Sequence, residues 1–434
     1  MTRRQLARGA AVLAVGALLW GLVAPAVSAD EIRDQQWALK SFEAETKVWP
    51  VSQGEGVVVA VIDSGVNQDH QDLTGQVLPG ADFTGANTDG RSDGDGHGTG
   101  MASLIAGHGH GSQVGVMGLA PKVKILPVKI KLGTDDYSFA VNELPRAIRF
   151  AVDHGAKVIS MSLGGRFRFD LESRKAVAYA VSKDVVLVAS TGNDSSEPVE
   201  YPASFPGVVA VGAVDFKGAL WDRSTSGPET TLVAPGAEII RATAKSSTSY
   251  GMASGTSDST AYVSATAALI RSKYPNLSAG QVINRMITTA TKPADGSKVP
   301  SDRYGYGSVS PAKALEVNPA VDNGPRDNPL LTRKESQGDP PADDPTDEPS
   351  IAPVVPDHTA DDTGDLIAVA IVAAGGLAVV GVVVLVVVLV VRSRRRTRRK
   401  RRAAEEAALS PYPHPHSYAP TPSSPPPPPA PPRQ

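Results

Sequence analysis

No cysteine occurs in the 434 residues, so neither a disulfide nor thiol chemistry is available to fold or function. Stability has to come from the core, with bound ions as the remaining source. Positive charge is scarce over most of the chain. The formal net charge is −2, yet residues 392–434 carry ten Arg or Lys against Glu405 and Glu406, a net of +8. With +3 from residues 1–29, the stretch 30–391 is left at −13. An acidic stretch of this kind excludes nucleic acid as its partner, because a phosphate-binding surface has to be basic. The glycine-rich loop Asn87-Thr88-Asp89-Gly90-Arg91-Ser92-Asp93-Gly94-Asp95-Gly96 lacks the spaced terminal Glu of a calcium loop, so it reads as a solvated turn. His108 and His110 stand two residues apart with no Cys near them and read as loop residues. No metal ligand or cofactor is implied, and structural calcium is not legible.

The ends of the chain are not globular. Arg3, Arg4 and Arg8 precede an apolar run over 10–23, and Val27-Ser28-Ala29 supplies small residues at a cleavage position. Residues 1–29 therefore read as a secretory signal, with an uncleaved anchor as the alternative. Residues 318–365 are rich in Pro, Asp, Gly and Thr and read as an acidic flexible linker. Residues 366–391 hold no charge; at 1.5 Å per residue they span about 39 Å, more than the ~30 Å hydrocarbon core. They read as a transmembrane helix, and the Arg-rich block after them sets its cytoplasmic end. The last residues form a Pro-rich tail, completing a basic, then Pro-rich segment over 392–434.

Between these ends lies one large region over 51–317, preceded by an arm over 30–50 whose Trp37 and Trp49 are expected to pack on the surface. Val57 to Ile62 is a continuous β-branched run, as in a strand buried on both faces of a parallel sheet. Further strands are expected over 124–129, 157–161, 185–189 and 208–214, with helices over 98–106, 143–154 and 173–183. Strands alternating with helices imply right-handed crossovers, hence an α/β fold with a mostly parallel sheet and helices on both faces.

The chemistry gathers on Ser254-Gly255-Thr256-Ser257, a turn that feeds the alanine-rich run after it. Ser257 is the candidate nucleophile, and a serine needs a base and an orienting acid. Asp63 ends the Val57–Ile62 run, where open α/β sheets place active-site groups; a helix cap is the alternative for an Asp there. His97 sits in Asp95-Gly96-His97-Gly98-Thr99-Gly100. The order is Asp, His, Ser.

Ala60-Val61-Ile62-Asp63-Ser64-Gly65, His97-Gly98-Thr99 with Ala102, and Gly255-Thr256-Ser257 together resemble the catalytic blocks of the subtilisin-like serine proteases. The likeness covers roughly residues 50–317, and the flanking segments narrow it to the mycosins, membrane-anchored subtilases associated with type VII secretion. It implies a three-layer subtilisin-like fold and a serine endopeptidase acting on peptide or protein substrates, with Asp63, His97 and Ser257 as the triad. It implies that Ser160-Met161-Ser162-Leu163-Gly164 pairs with an extended substrate, that Asn193 of Ser190-Thr191-Gly192-Asn193 is the oxyanion donor, and that partners include the membrane and type VII secretion components. Where the family continues with Met-Ala and a later proline, this chain has Asp258, Ser259 and Ala261. Asp258 reads either as a helix-start residue favoured by the macrodipole or as a charge opposing the oxyanion. A weakly active or inactive scaffold of a secretion complex is the rival function.

Overall fold

The computed structural model describes residues 31–111, 113–132, 143–165 and 171–333. The chain divides into two compact units, Met1–Asp343 and Asp344–Gln434, and every described residue belongs to the first. The expected signal over 1–29 and membrane helix over 366–391 lie outside the described residues. Among those described, no helix is long and apolar enough to cross a membrane.

Helix α1 (Trp37–Ser41) and a single π-turn (Ala44–Val48) form the arm. Strand β1 (Val58–Asp63) leads through the two-residue β2 (Ala81–Asp82) to α2 (His97–Ala106) and β3 (Lys124–Lys129). Next come α3 (Leu144–Asp153), β4 (Val158–Met161), α4 (Leu171–Ser182), β5 (Val186–Ser190), β6 (Val208–Val214) and β7 (Thr230–Pro235). The hairpin β8 (Ile239–Ala242) and β9 (Tyr250–Ala253) precedes α5 (Thr256–Lys273), and α6 (Ala279–Thr288), α7 (Pro311–Ala314) and α8 (Pro319–Asp322) close the unit.

Seven strands form one parallel sheet in the order β2-β3-β1-β4-β5-β6-β7, and β8-β9 is a separate antiparallel pair. Alternate residues of each strand serve opposite faces. Val59, Val61, Val186 and Val188 join the core beneath α2, α5 and α6, while Ala60, Ile62, Leu187 and Ala189 join the core beneath α3 and α4. Burial on both faces is why these strands read as unbroken apolar runs. The order reverses between β1 and β4, and the crevice outside the carboxyl ends of strands at such a point is where α/β sheets bind ligands.

Helix α5 is buried nearly all round. Its alanines and Ser264 keep it thin enough to lie against the sheet, and Thr260 and Thr266 satisfy their hydroxyls on the carbonyls of Thr256 and Tyr262. The arm is fastened by side chains more than by its own short helix. Gln36 exchanges two hydrogen bonds with the backbone of Met117, Trp37 Nε1 donates to Ala237 O at 3.2 Å, and Trp49 Nε1 donates to Leu119 O at 3.0 Å. Packed structure also runs on past residue 317. Asn328 donates to Gly207 O and Arg333 donates to the carbonyls of Ala203, Phe205 and Val208, so the composition change at 318 precedes the end of the packed chain.

Candidate active site

Asp63 ends β1 with its side chain fully buried. Its carboxylate faces His97, the first residue of α2, with Oδ1 at 2.9 Å and Oδ2 at 3.0 Å from Nδ1. The approach of α2 to β1 depends on Gly98: a Cβ there would lie 2.1 Å from Gly65 O and 3.0 Å from the Asp63 Cβ. Ser64 adds to the frame, donating its amide to Asp63 Oδ1 at 2.8 Å and accepting the Gly98 amide on Oγ at 3.0 Å.

The loop before His97 is not the solvated turn its composition suggests. Asp93 Oδ1 accepts hydrogen bonds from Ser64 Oγ, the Asp95 amide and the Gly96 amide, and Oδ2 accepts from the amide and hydroxyl of Thr99. One side chain thus binds the end of β1 to the start of α2 and fixes where His97 emerges. Sequence reasoning missed Asp93 because an Asp among glycines looks the same whether it faces solvent or gathers five donors.

Ser257 is the second residue of α5 and lines the same cleft as His97, a space of about 490 Å³. Its hydroxyl donates to Ser162 O at 3.3 Å, and Ser162 Oγ donates back to Ser257 O at 2.9 Å. The residues singled out after β4 divide. Ser162, Leu163 and Gly164 line the cleft, whereas Ser160 and Met161 fall inside β4 and are buried. A strand buried on both faces cannot offer those two side chains to a substrate, so only the segment beyond the strand end reaches the cleft.

Asn193 also lines the cleft, after β5. Its Oδ1 accepts the Thr256 amide at 2.9 Å and the Thr256 hydroxyl at 3.1 Å. With the oxygen committed to the residue before the nucleophile, the amide NH₂ is the end left for the cleft, as an oxyanion donor requires.

His97 titrates above its ordinary range. Burial works against the imidazolium, but the charge and hydrogen bond of Asp63 outweigh it; Arg241 opposes the proton and Asp258 favours it. Asp258 itself is buried, and burial pushes its carboxyl up against the pull of Arg241 and His97. Asp258 lies in the first turn of α5, as a helix-start residue does, but it is buried there, and Arg241 of β8 approaches its Oδ1 to 3.2 Å. Sequence reasoning missed Arg241, although a carboxylate inside a buried helix implies a cation somewhere. Away from the cleft, His110 is paired with the buried Asp72, 2.6 Å from Nδ1 to Oδ1, and Tyr250 donates to the same carboxylate. Among the described residues no group of three or more His, Cys, Asp or Glu comes together as a metal site.

The chain is similar to known proteins in sequence and fold. Subtilisin E of Bacillus subtilis (strain 168) is 38% identical over 244 residues, which cover 55% of this chain and 61% of the relative; the chain thus spans less than two thirds of that relative's length. Thermitase of Thermoactinomyces vulgaris is 36% identical over 272 residues, 62% of this chain and 92% of the relative. Among solved structures, MycP1 from Mycobacterium smegmatis matches with a TM-score of 0.61 at 28% identity, over 72% of this chain and 92% of that one. The MycP3 protease from the type VII (ESX-3) secretion system matches with a TM-score of 0.57 at 31% identity, over 68% of this chain and 89% of that one. The subtilase family model matches residues 54–307, more than half of the chain, and the chain belongs to the subtilase family.

Proposed function

We propose that this chain is a membrane-anchored, extracytoplasmic serine endopeptidase that works beside a type VII secretion system. The observation that carries the reading is the Asp63 carboxylate held at 2.9 Å from His97 Nδ1, in the wall of a cleft that Ser257 also lines. In this reading the Ser257 hydroxyl leaves Ser162 O, gives its proton to His97 Nε2 and attacks the peptide carbonyl. Asp63 keeps the Nδ1–H tautomer and stabilises the imidazolium. Asn193 Nδ2 and the Ser257 amide receive the negative charge on the carbonyl oxygen. His97 then protonates the leaving amine, and water repeats the sequence on the acyl-enzyme.

The secretion context is carried by the likeness to MycP1 and MycP3, one of which is described as an essential component of the type VII (ESX-1) system. The anchor rests on residues 366–391 and the Arg-rich block after them. A second reading, a weakly active scaffold, is favoured by one observation: the Ser257 hydroxyl hydrogen-bonds to Ser162 O. Labelling the full chain with a fluorophosphonate probe beside Ser257→Ala decides between them. Labelling confined to the parent supports the protease; equal labelling of both, or none of either folded protein, rejects it.

A further inference from the structure

Asp258 and Arg241 are two charges beside the reacting groups that the proposed mechanism does not use. Asp258 is the third residue of α5, next to the nucleophile and 1% exposed. Alone there, a carboxylate would oppose the charge forming on the substrate carbonyl or take up a proton. Arg241 Nη1 instead stands 3.2 Å from its Oδ1, and neither atom makes a directed hydrogen bond. Charge rather than hydrogen-bond geometry holds them together. The fold is cut to admit the arginine: a Cβ on Gly100 of α2 would lie 2.7 Å from the Arg241 Cδ. A larger residue at 100 would evict the guanidinium stem from its slot between α2 and α5.

Several charged groups surround His97. Asp63 faces it from β1, Asp258 from α5 and Arg241 from β8, while Asp95, Lys131, Asp194 and Glu200 line the same cleft. Among the described residues only Asp63 hydrogen-bonds to the ring, and its role is assigned in the proposed function. Asp258 and Arg241 act on the ring with opposite signs, so as a pair they leave little net field there.

We infer that Asp258 and Arg241 are positioning residues, a buried and mutually neutralising pair that lets a carboxylate sit beside the nucleophile and keeps the field on His97 balanced. The inference rests on His97 being the base of the proposed function. It is tested on the full-length chain by the pH profile of kcat/KM and by ¹³Cε1 NMR titration of His97, the resonance being assigned by its loss in His97→Gln. In Asp258→Asn the unmatched Arg241 repels the imidazolium, so the acid limb and the NMR midpoint move to lower pH. In Arg241→Met the unmatched Asp258 either attracts the proton of His97, moving both to higher pH, or takes up a proton itself and leaves them in place; a move to lower pH is not expected. The double variant Asp258→Asn/Arg241→Met returns them towards the parent, as two opposing shifts add up to. A role confined to packing lowers thermal stability in all three and moves neither readout. If Arg241→Met does not fold, the downward shift in Asp258→Asn and its reversal in the double variant carry the test. An unmoved midpoint in folded Asp258→Asn, or a move to lower pH in folded Arg241→Met, overturns the inference. A parent that neither cleaves peptides nor labels with the probe rejects the proposed function instead, and the NMR midpoints still decide this pair.

Discussion

At His97, burial and charge pull in opposite directions and the charge of Asp63 prevails. Because the base is the neutral ring, kcat/KM is expected to fall on the acid side at a pH above the ordinary imidazole value of about 6.5. A pH profile checks this, and an acid limb below that value would contradict it. The same shift has a stability consequence of fixed sign. A group whose folded-state value is raised stabilises the fold fully below its unfolded value and ceases to do so as pH rises through the folded one. His97→Gln should therefore cost more stability at pH 5 than at pH 9, read by denaturant titration at both. Asp93 gathers five donors around the start of α2; Asp93→Ala leaves them without an acceptor. A loss of about 1–3 kcal/mol in unfolding free energy is expected, with slower probe labelling of Ser257. Asn193→Ala removes the proposed oxyanion donor together with the acceptor of the Thr256 amide and hydroxyl. The loss of such a donor in a subtilisin, about 10²–10³-fold in kcat, is carried over as the expected size, with KM little changed.

Among the elements, α2 and α5 bring His97 and Ser257 to one cleft, and both arrive by close approach. Gly98→Ala would put a methyl 2.1 Å from Gly65 O, a backbone atom that cannot yield without moving β1. The variant is expected to lose activity and about 1–3 kcal/mol of stability; a thermal melt beside probe labelling checks both. The arm reaches the same region from behind. Trp37 holds the carbonyl of Ala237, next to Gly236, whose own carbonyl accepts the Gly255 amide just before α5. Trp37→Phe keeps most of the packing and removes the donor, so a loss of about 1 kcal/mol is expected. Unchanged melting would reduce Trp37 to surface packing, as the sequence alone suggested.

At the scale of the whole molecule, the charge-free run over 366–391 followed by nine Arg or Lys within 392–402 predicts that the full chain sediments with membranes. Replacing 366–391 with a polar sequence of equal length should release it to the soluble fraction. Membrane association of both forms would place the anchor elsewhere. In the native host, loss of type VII substrate secretion on exchanging the span for an unrelated apolar one, but not in Ser257→Ala, would favour the scaffold over the protease.

The sequence by itself determined what is local or periodic. β6 was legible to the residue, since a strand buried on both faces is apolar throughout, as was β3, an apolar run closed at each end by a lysine; the positions of Asp63, His97 and Ser257 were legible because each lies in a short block with glycines and small residues. Composition along the chain also separated the acidic stretch 30–391 from the basic tail. What only the tertiary structure decided depends on partners far apart in sequence. The division of Ser160 and Met161 from Ser162–Gly164 follows from where β4 ends against β1 and β5. The work of Asp93 follows from Ser64 and Thr99 converging on it, and the burial of Asp258 is tolerable because β8 delivers Arg241 through the gap at Gly100. A side chain's chemistry is set by what surrounds it, and a single sequence records that only where the surroundings are its own neighbours.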